Sequence, residues 1–195
     1  MNYLGHAYLS MGDSAVVAGN MIGDHVKGTL ALAAFPGGMQ AGIRLHRRID
    51  EFADMHPATL RAKILFKEHY GLYAGAIMDT LYDHFLANDP KLFAGEKELK
   101  AFATHTYAQV EEYAAHLPPP FAAYFPHMKE HDWLYNYRTM KGIERSLQRL
   151  HRRAKHMPPP GKAYEIFVTN YYHLNQCYFE LIDDIVSFAR KELGK

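Results

Sequence analysis

Three segments of the sequence place metal-binding side chains one helical turn apart. Asn20 and Asp24 are four residues apart, and so are His46 and Asp50. The third segment, residues 79–84, reads Asp-Thr-Leu-Tyr-Asp-His, and its two aspartates have the same spacing. Because an α-helix turns by about 100° per residue, side chains four apart leave it only about 40° apart. Each segment therefore presents its donors on one face.

The donors in these segments are carboxylate oxygens and imidazole nitrogens, which suit Mn²⁺, Mg²⁺, Fe or Zn. The only cysteine, Cys177, excludes an internal disulfide and any zinc site that needs two thiolates from this chain. Three helices that turned these faces inward would build a site of nitrogen and oxygen ligands. Taken alone, the His46–Asp50 pair is more typical of a surface pair.

The segment at residues 79–84 is the least compatible with a solvated surface. A carboxylate buried among apolar neighbours needs a cation or several hydrogen-bond donors. The apolar neighbours of Asp79 and Asp83 are Ile77, Met78, Leu81, Tyr82, Phe85 and Leu86.

Among the 13 histidines, two more lie near these segments. His6 can reach a site from the N-terminal segment, and His25 stands beside Asp24. Seven further histidines have no ligand spacing, and we expect most of them to be surface groups or hydrogen-bonded core groups: His105, His116, His127, His131, His151, His156 and His173.

Two basic clusters suggest how an anion would be held. Guanidinium groups beside a metal suit a phosphate-bearing substrate, because they bind its oxygens bidentately. The first cluster, around His46, is Arg44, Arg47 and Arg48. A solvated helix face is the more typical role of the second, which is Arg145, Arg149, Arg152, Arg153 and Lys155.

The elements that must position these groups are helices. Apolar residues recur with helical spacing between short proline and glycine breaks, and alternating stretches are scarce. The pattern predicts a single all-α domain over residues 1–195, a multi-helix bundle. The predicted helices, with Ser14 capping the first and Gly28 ending it, span residues 14–27, 39–55, 58–70, 72–88, 96–117, 121–135, 142–156 and 163–193.

The composition excludes several functional classes. A net charge of +1 over 195 residues argues against a generic nucleic-acid binder. The sequence has no basic start followed by an apolar run and no apolar stretch of about 20 residues, so we expect a cytoplasmic protein without a membrane segment. It contains no G-x-S-x-G, P-loop or G-x-G-x-x-G motif.

Several segments, taken in order, resemble the acyl carrier protein phosphodiesterase family, a divergent branch of the all-helical HD-domain metal phosphohydrolases. Residues 1–6 read Met-Asn-Tyr-Leu-Gly-His, and residues 19–24 read Gly-Asn-Met-Ile-Gly-Asp. Residues 41–50 end in His-Arg-Arg-Ile-Asp, and residues 79–86 end in Asp-His-Phe-Leu. Trp133-Leu134, with Tyr137, Met140 and Ile143, extends the similarity toward the C-terminus.

The resemblance implies hydrolysis of the phosphodiester that joins 4′-phosphopantetheine to a serine of acyl carrier protein. The implied metal is Mn²⁺, with Mg²⁺ or Fe as alternatives. The doublet at residues 83–84 is Asp-His, whereas the wider superfamily has His-Asp, so individual ligand roles are less secure than the site. The implied ligands are Asp24, His46, Asp83 and His84, followed by Asp50 and Asp79.

The remaining roles follow from the chemistry of the reaction. Arg47 or Arg48 would stabilise charge on the phosphoryl oxygens, and His84, His6 or His25 would protonate the leaving serine oxygen. We take Asp24, His84, Arg47 and His6 as the catalytic candidates. Acyl carrier proteins are acidic, so a local basic face would steer docking. The docking candidates are Arg44, Arg48, Arg149, Arg152 and Arg153.

Three alternatives stay open at this point. The same metal site would also serve a phosphohydrolase for nucleotides or other small phosphate esters. A non-catalytic helical module could instead bind acidic partners, with its histidines and carboxylates as buried hydrogen-bonding groups. A histidine-rich oligomer interface is a minor possibility.

Overall fold

The computed structural model describes all 195 residues, and they form helices without any strand. Short 3₁₀ turns occur at Gly23–His25, Gly71–Tyr73 and Ala114–His116. The predicted all-α class is confirmed. The α-helices are α1 Tyr3–Leu9, α2 Ser14–Met21, α3 Gly28–Ala33, α4 Gly37–Met55, α5 Pro57–Tyr70, α6 Ala74–Ala87, α7 Glu96–Glu111, α8 Pro119–Glu130, α9 Trp133–Asn136, α10 Met140–Arg153, α11 Gly161–Thr169 and α12 Tyr171–Glu192.

One continuous apolar core joins the helices. α12 shows how the sequence builds it, because its buried residues recur every three or four positions and form one stripe. Each fully buried leucine or isoleucine contributes about 1.5–3 kcal/mol relative to an exposed one. The buried residues of α12 are Leu174, Cys177, Tyr178, Leu181, Ile182, Ile185 and Ala189. No helix has both the length and the apolar character needed to cross a bilayer.

The crossing of α2 and α4 requires glycine on both helices. A Cβ at Gly19 would lie 2.1 Å from the Met39 carbonyl oxygen, and one at Gly42 would lie 2.2 Å from the Val16 carbonyl oxygen. The two backbones are therefore in direct contact. This close approach brings the end of α2, with Asn20, beside His46 on α4.

Several predicted helices have different bounds in the structure, among them those predicted over residues 96–117 and 121–135, which end at Glu111 and Glu130. The helix predicted over residues 14–27 ends at Met21, and Gly28 begins α3 instead of ending the first helix. Its N-terminal cap is Asp13, whose Oδ1 accepts the Val16 N–H at 3.0 Å. The helix predicted over residues 163–193 is broken at Asn170 into α11 and α12. Helix α1 was not predicted, because nearly all of its residues are buried and leave no polar face.

Candidate metal centre

A cavity of about 380 Å³ lies where α1, α4, α6 and α10 meet. Part of its wall consists of carboxylates and imidazoles, and another part consists of arginines and aromatic rings. The first part contains His6, Asp24, His46, Asp50 and Asp79, and the second contains Tyr3, Tyr124, Trp133, Tyr137, Arg149, Arg152 and Arg153.

Asn20 orients the two histidines of the cavity. His6 Nδ1 lies 2.8 Å from Asn20 Oδ1, and His46 Nδ1 lies 2.8 Å from the Asn20 carbonyl oxygen. The Asn20 amide nitrogen donates to the His6 carbonyl oxygen and to Ser10 Oγ, which fixes the orientation of its side chain. Since both Nδ1 partners are acceptors, each Nδ1 must carry the proton. In the neutral rings, both Nε2 atoms therefore hold a free lone pair.

The two free nitrogens face carboxylates. Asp50 Oδ1 lies 3.1 Å from His6 Nε2, and Asp50 Oδ2 lies 3.2 Å from His46 Nε2. Asp24, at the exposed side of the group, places Oδ1 3.4 Å from His46 Nε2. His46 Nε2 and Asp50 Oδ1 are buried without a hydrogen-bond partner. Lone pairs that face carboxylates repel unless a proton or a metal cation stands between them.

The pKa values of the two histidines are shifted in opposite directions. Burial lowers the pKa of His6 to about 4. Burial also acts to lower the pKa of His46, but Asp24 and Asp50 raise it to about 9. The contact with His46 lowers the pKa of Asp24 to about 2. Because the two rings are stacked with centroids 3.9 Å apart, they do not readily both take a proton.

The same donors fit a divalent metal. His6 Nε2, His46 Nε2 and a carboxylate oxygen of Asp50 lie within 4.8 Å of one another. Histidine ligands in metal sites commonly donate the other ring N–H to a carbonyl or carboxylate, which fixes the tautomer. Asn20 provides this arrangement for both rings. Gly23 allows the Gly23–His25 turn to lie against the His46 ring, since a Cβ at this position would be 2.2 Å from His46 Cγ. This close approach places Asp24 beside His46.

The aspartates of α6 have different partners. Asp83 is fully buried and accepts the backbone N–H groups of Asn2, Leu4 and Gly5 at 3.1, 2.7 and 3.0 Å. Both of its oxygens are therefore occupied in holding the start of α1. Asp83 also does not line the cavity, so its position does not support the ligand role predicted for it. Asp79 does line the cavity, where its Oδ1 lies 2.8 Å from the Met1 amino nitrogen.

His84, which was predicted as a ligand and as a proton donor, does not line the cavity, so its position does not support these roles. Its Nδ1 is 2.8 Å from the Tyr137 carbonyl oxygen, and its Nε2 is 3.0 Å from the Tyr171 hydroxyl. The ring packs edge-on against Phe85 and Phe167. Because one residue turns the helix by about 100°, His84 cannot share the direction of Asp83. It is a satisfied core histidine.

Three arginines predicted around His46 do not line the cavity. Arg44 is exposed and contacts Gln40 at 3.5 Å. Arg48 is paired with Glu51 at 2.6 Å and Glu192 at 3.3 Å. Arg47 donates to the Val26 carbonyl oxygen at 2.9 Å and lines a smaller hollow that also reaches Asp24, His46 and Asp50. The phosphate and docking roles predicted for Arg44 and Arg48 are therefore not supported by their positions.

The arginines predicted for docking, Arg149, Arg152 and Arg153, instead line the cavity itself. Arg149 lies over the Trp133 ring, 4.0 Å from its centroid. Arg153 donates to the Tyr3 hydroxyl at 3.3 Å. Trp133, the only tryptophan, lines the cavity but was not among the predicted site residues.

Hydroxyl groups continue along the same wall. The Tyr3 and Tyr124 hydroxyl oxygens are 2.6 Å apart, and Tyr124 Oη is 2.8 Å from His25 Nε2. His25 therefore contacts the cavity through Tyr124. No local sequence pattern indicates this chain of hydrogen bonds, because Tyr124 is 121 residues from Tyr3 and 99 residues from His25.

A second group of donors lies on the surface. His127, Glu130 and His131 each offer one atom within 4.8 Å of the others, but all three residues are exposed. His127 and His131 are four residues apart, but they were predicted to be surface or hydrogen-bonded core groups. The group contains no buried atom without a partner, unlike the centre around His46.

Fold and site together define an all-helical protein with a candidate His–Asp metal centre that opens into an arginine-lined cavity. The chain belongs to the acyl carrier protein phosphodiesterase family, whose model matches residues 1–185. This confirms the resemblance seen in the sequence.

Curated relatives carry the same description. The acyl carrier protein phosphodiesterase of Enterobacter sp. (strain 638) is 28% identical over 192 residues, which cover 98% of this chain and 99% of the relative. That of Photorhabdus laumondii is 30% identical and covers 78% of this chain and 77% of the relative. That of Salmonella agona is 31% identical, with 75% and 76% covered. No solved structure matches the chain.

Proposed function

We propose that this protein hydrolyses the phosphodiester between 4′-phosphopantetheine and a serine of acyl carrier protein. The products are the apo-carrier protein and free 4′-phosphopantetheine. Membership of the acyl carrier protein phosphodiesterase family supports the substrate and the reaction. We further propose that the enzyme is metal-dependent, with Mn²⁺ as the expected ion and Mg²⁺ or Fe as alternatives.

The observation that best supports a bound metal is a pair of buried atoms without hydrogen bonds, His46 Nε2 and Asp50 Oδ1. In a non-catalytic helical module these groups would be hydrogen-bonded, as buried polar atoms almost always are. Here the bonds to Asn20 hold both Nε2 atoms toward the carboxylates. We assign His6, His46 and Asp50 as ligands, with Asp24 as a further ligand on the exposed side.

A divalent metal at this centre would lower the pKa of a water molecule and polarise a phosphoryl oxygen. The protein's own contribution is to keep the donors aligned before substrate arrives. Asn20 fixes both rings, and Asp83 fixes the start of α1, the helix that carries His6. Asp79 stays in the cavity wall beside Asp50, and the Met1 amino nitrogen lies 3.7 Å from Asp50 Oδ1.

Arg149 and Arg153 are placed to bind the phosphoryl oxygens. Neither has a carboxylate oxygen within 4.0 Å, so the donors that do not bond Ser146 Oγ or the Tyr3 hydroxyl are free for an anionic substrate. Fixed guanidinium donors stabilise the charge that develops on these oxygens. We assign them the phosphate role predicted for Arg47 and Arg48, because both line the cavity.

The leaving serine oxygen must receive a proton. The Tyr3 hydroxyl lies in the cavity wall, where it contacts Tyr124 Oη and accepts a hydrogen bond from Arg153. We assign Tyr3 Oη as the group that donates the proton to the leaving serine oxygen. Tyr124 Oη and His25 Nε2 are next along the hydrogen-bonded chain and can replace the proton that Tyr3 has donated.

Intact-protein mass spectrometry tests the proposal directly. Metal-free protein supplied with Mn²⁺ should convert holo-carrier protein to the apo form, with 4′-phosphopantetheine released, and a chelator should stop the conversion. An unchanged holo-carrier mass in the presence of Mn²⁺ would contradict the proposed substrate. Faster hydrolysis of a nucleotide or another small phosphate ester would move the assignment to that class.

A further inference from the structure

A second hollow, which we call the basic hollow, adjoins the cavity. It has a volume of about 310 Å³, and no aspartate or glutamate lines it. Its charged and aromatic lining residues are His127, His131, Trp133, Arg145, Arg149 and Arg152.

The arginines of the basic hollow have no acidic partner. Arg145, Arg149 and Arg152 follow one another at helical spacing on α10, and none has a carboxylate oxygen within 4.0 Å. Elsewhere on the surface, Arg61 is paired with Glu180 and Arg138 with Glu96. Burial and the charges of Arg152 and Arg145 lower the pKa of Arg149. Like charges held together in this way destabilise the folded protein unless an anion joins them.

The basic hollow is continuous with the catalytic cavity. Arg149, Arg152 and Trp133 line both spaces. Arg149 is held in place by the Trp133 ring and by a hydrogen bond to Ser146 Oγ at 2.6 Å. A protein bound in the hollow therefore lies directly beside a phosphate bound in the cavity.

We propose that the basic hollow docks an acidic segment of the carrier protein next to its modified serine. This inference rests on the proposed function, which requires a whole protein to bring its phosphodiester into the cavity. Charge is the argument for this occupant, since unpaired guanidinium groups and two exposed imidazoles complement carboxylates. Arg145 would contact the carrier protein alone, because it lines the hollow and not the cavity.

Charge reversal at Arg145 separates docking from catalysis. Arg145→Glu should lower kcat/KM for holo-carrier protein by about tenfold or more, mainly through KM, and reduce its dependence on salt. Hydrolysis of a small diester, bis(p-nitrophenyl) phosphate, should stay within about twofold, since Arg145 does not reach the cavity. Arg190→Glu is the matched control, an exposed arginine near the end of α12. Equal losses on both substrates, or no difference from Arg190→Glu, would overturn the docking role.

A binding experiment makes the result independent of turnover. Trp133 is the only tryptophan and lines the hollow, so its fluorescence reports the binding of a tryptophan-free apo-carrier protein. The wild type should bind it with a Kd at least about tenfold lower than that of Arg145→Glu. Equal Kd values, or no binding to the wild type, would overturn docking. Charge-sensitive binding without hydrolysis of the holo form would instead overturn the proposed function and leave docking supported.

Discussion

Helices α4 and α6 each carry an aspartate and a histidine within about one turn, but their polar atoms differ in what surrounds them. On α4, His46 Nε2 and a neighbouring Asp50 oxygen are buried without hydrogen bonds beside a cavity. On α6, both oxygens of Asp83 and both nitrogens of His84 have hydrogen-bond partners within the protein. The first region is the candidate metal centre, whereas the second holds the start of α1 and packs in the core.

The difference comes from neighbouring segments that are distant in sequence. Asn20 accepts the Nδ1 protons of His6 and His46 and leaves their Nε2 atoms free. The backbone N–H groups at the start of α1 occupy Asp83 instead. A carboxylate or imidazole is therefore available as a ligand only where its other hydrogen bonds leave an atom facing the cavity. We therefore expect substitutions at the centre on α4 to lower activity more than substitutions on α6.

The largest loss should follow from His46→Ala. Removal of a ligand should lower kcat/KM for holo-carrier protein by about 10³-fold, because the metal supplies several kcal/mol of transition-state stabilisation. The assay is the conversion of holo- to apo-carrier protein followed by mass. His69→Ala, an exposed histidine on α5, is the control and should be fully active. If the His46→Ala protein is fully active, His46 on α4 is not a ligand of the metal centre.

Asn20→Ala should weaken metal binding without removing a ligand. The loss of a partner that orients ligands commonly costs about 10–100-fold in metal affinity or activity. Mn²⁺ titration of the metal-free protein measures the affinity, and circular dichroism checks the helices. Asn20→Asp, which still accepts the His6 Nδ1 proton, should fall between the wild type and Asn20→Ala. Unchanged Mn²⁺ affinity in Asn20→Ala would contradict the positioning role.

Arg149→Lys should raise KM about tenfold for both the carrier protein and the small diester. Lysine keeps the charge but loses the planar fork and the stacking on Trp133. The response of both substrates distinguishes it from Arg145→Glu, which should affect the carrier protein alone. If KM for the diester does not change, Arg149 does not contact the phosphate.

His84→Ala should have the smallest effect on activity and a clear effect on stability. The substitution leaves the Tyr137 carbonyl oxygen and the Tyr171 hydroxyl without their partner and opens space in the core, at a cost of about 3 kcal/mol. Urea denaturation measures the loss, and kcat/KM at a temperature where the variant is folded should stay within about threefold. A loss of activity as large as that of His46→Ala would place His84 in the centre.

The all-helical class was predictable, because the apolar spacing of helices such as α4, α5 and α12 dominates the sequence. The breaks were less visible. Asn170 separates α11 from α12, and the chain leaves α2 after Met21, with neither change marked by proline. α1 has almost no polar face, so its short buried helix gives no amphipathic pattern.

The site was predictable in part for a similar reason. Spacing identified Asp24, His46 and Asp50, which the structure brings together with His6. Spacing also gave weight to Asp83 and His84, because a sequence does not show which hydrogen bonds a buried group already makes. The arginines of α10 reach the cavity through the packing of α10 against α6, a contact between distant segments that no local pattern carries.

Mn²⁺ binding to His46→Ala and His84→Ala tests the central claim most directly. Isothermal titration of the metal-free proteins compares the two helices under the same conditions, without any assumption about substrate. We predict that His84→Ala binds Mn²⁺ with a Kd within about threefold of the wild type, whereas His46→Ala shows no saturable binding in the same range. Retained binding in His46→Ala, together with its loss in His84→Ala, would contradict the account.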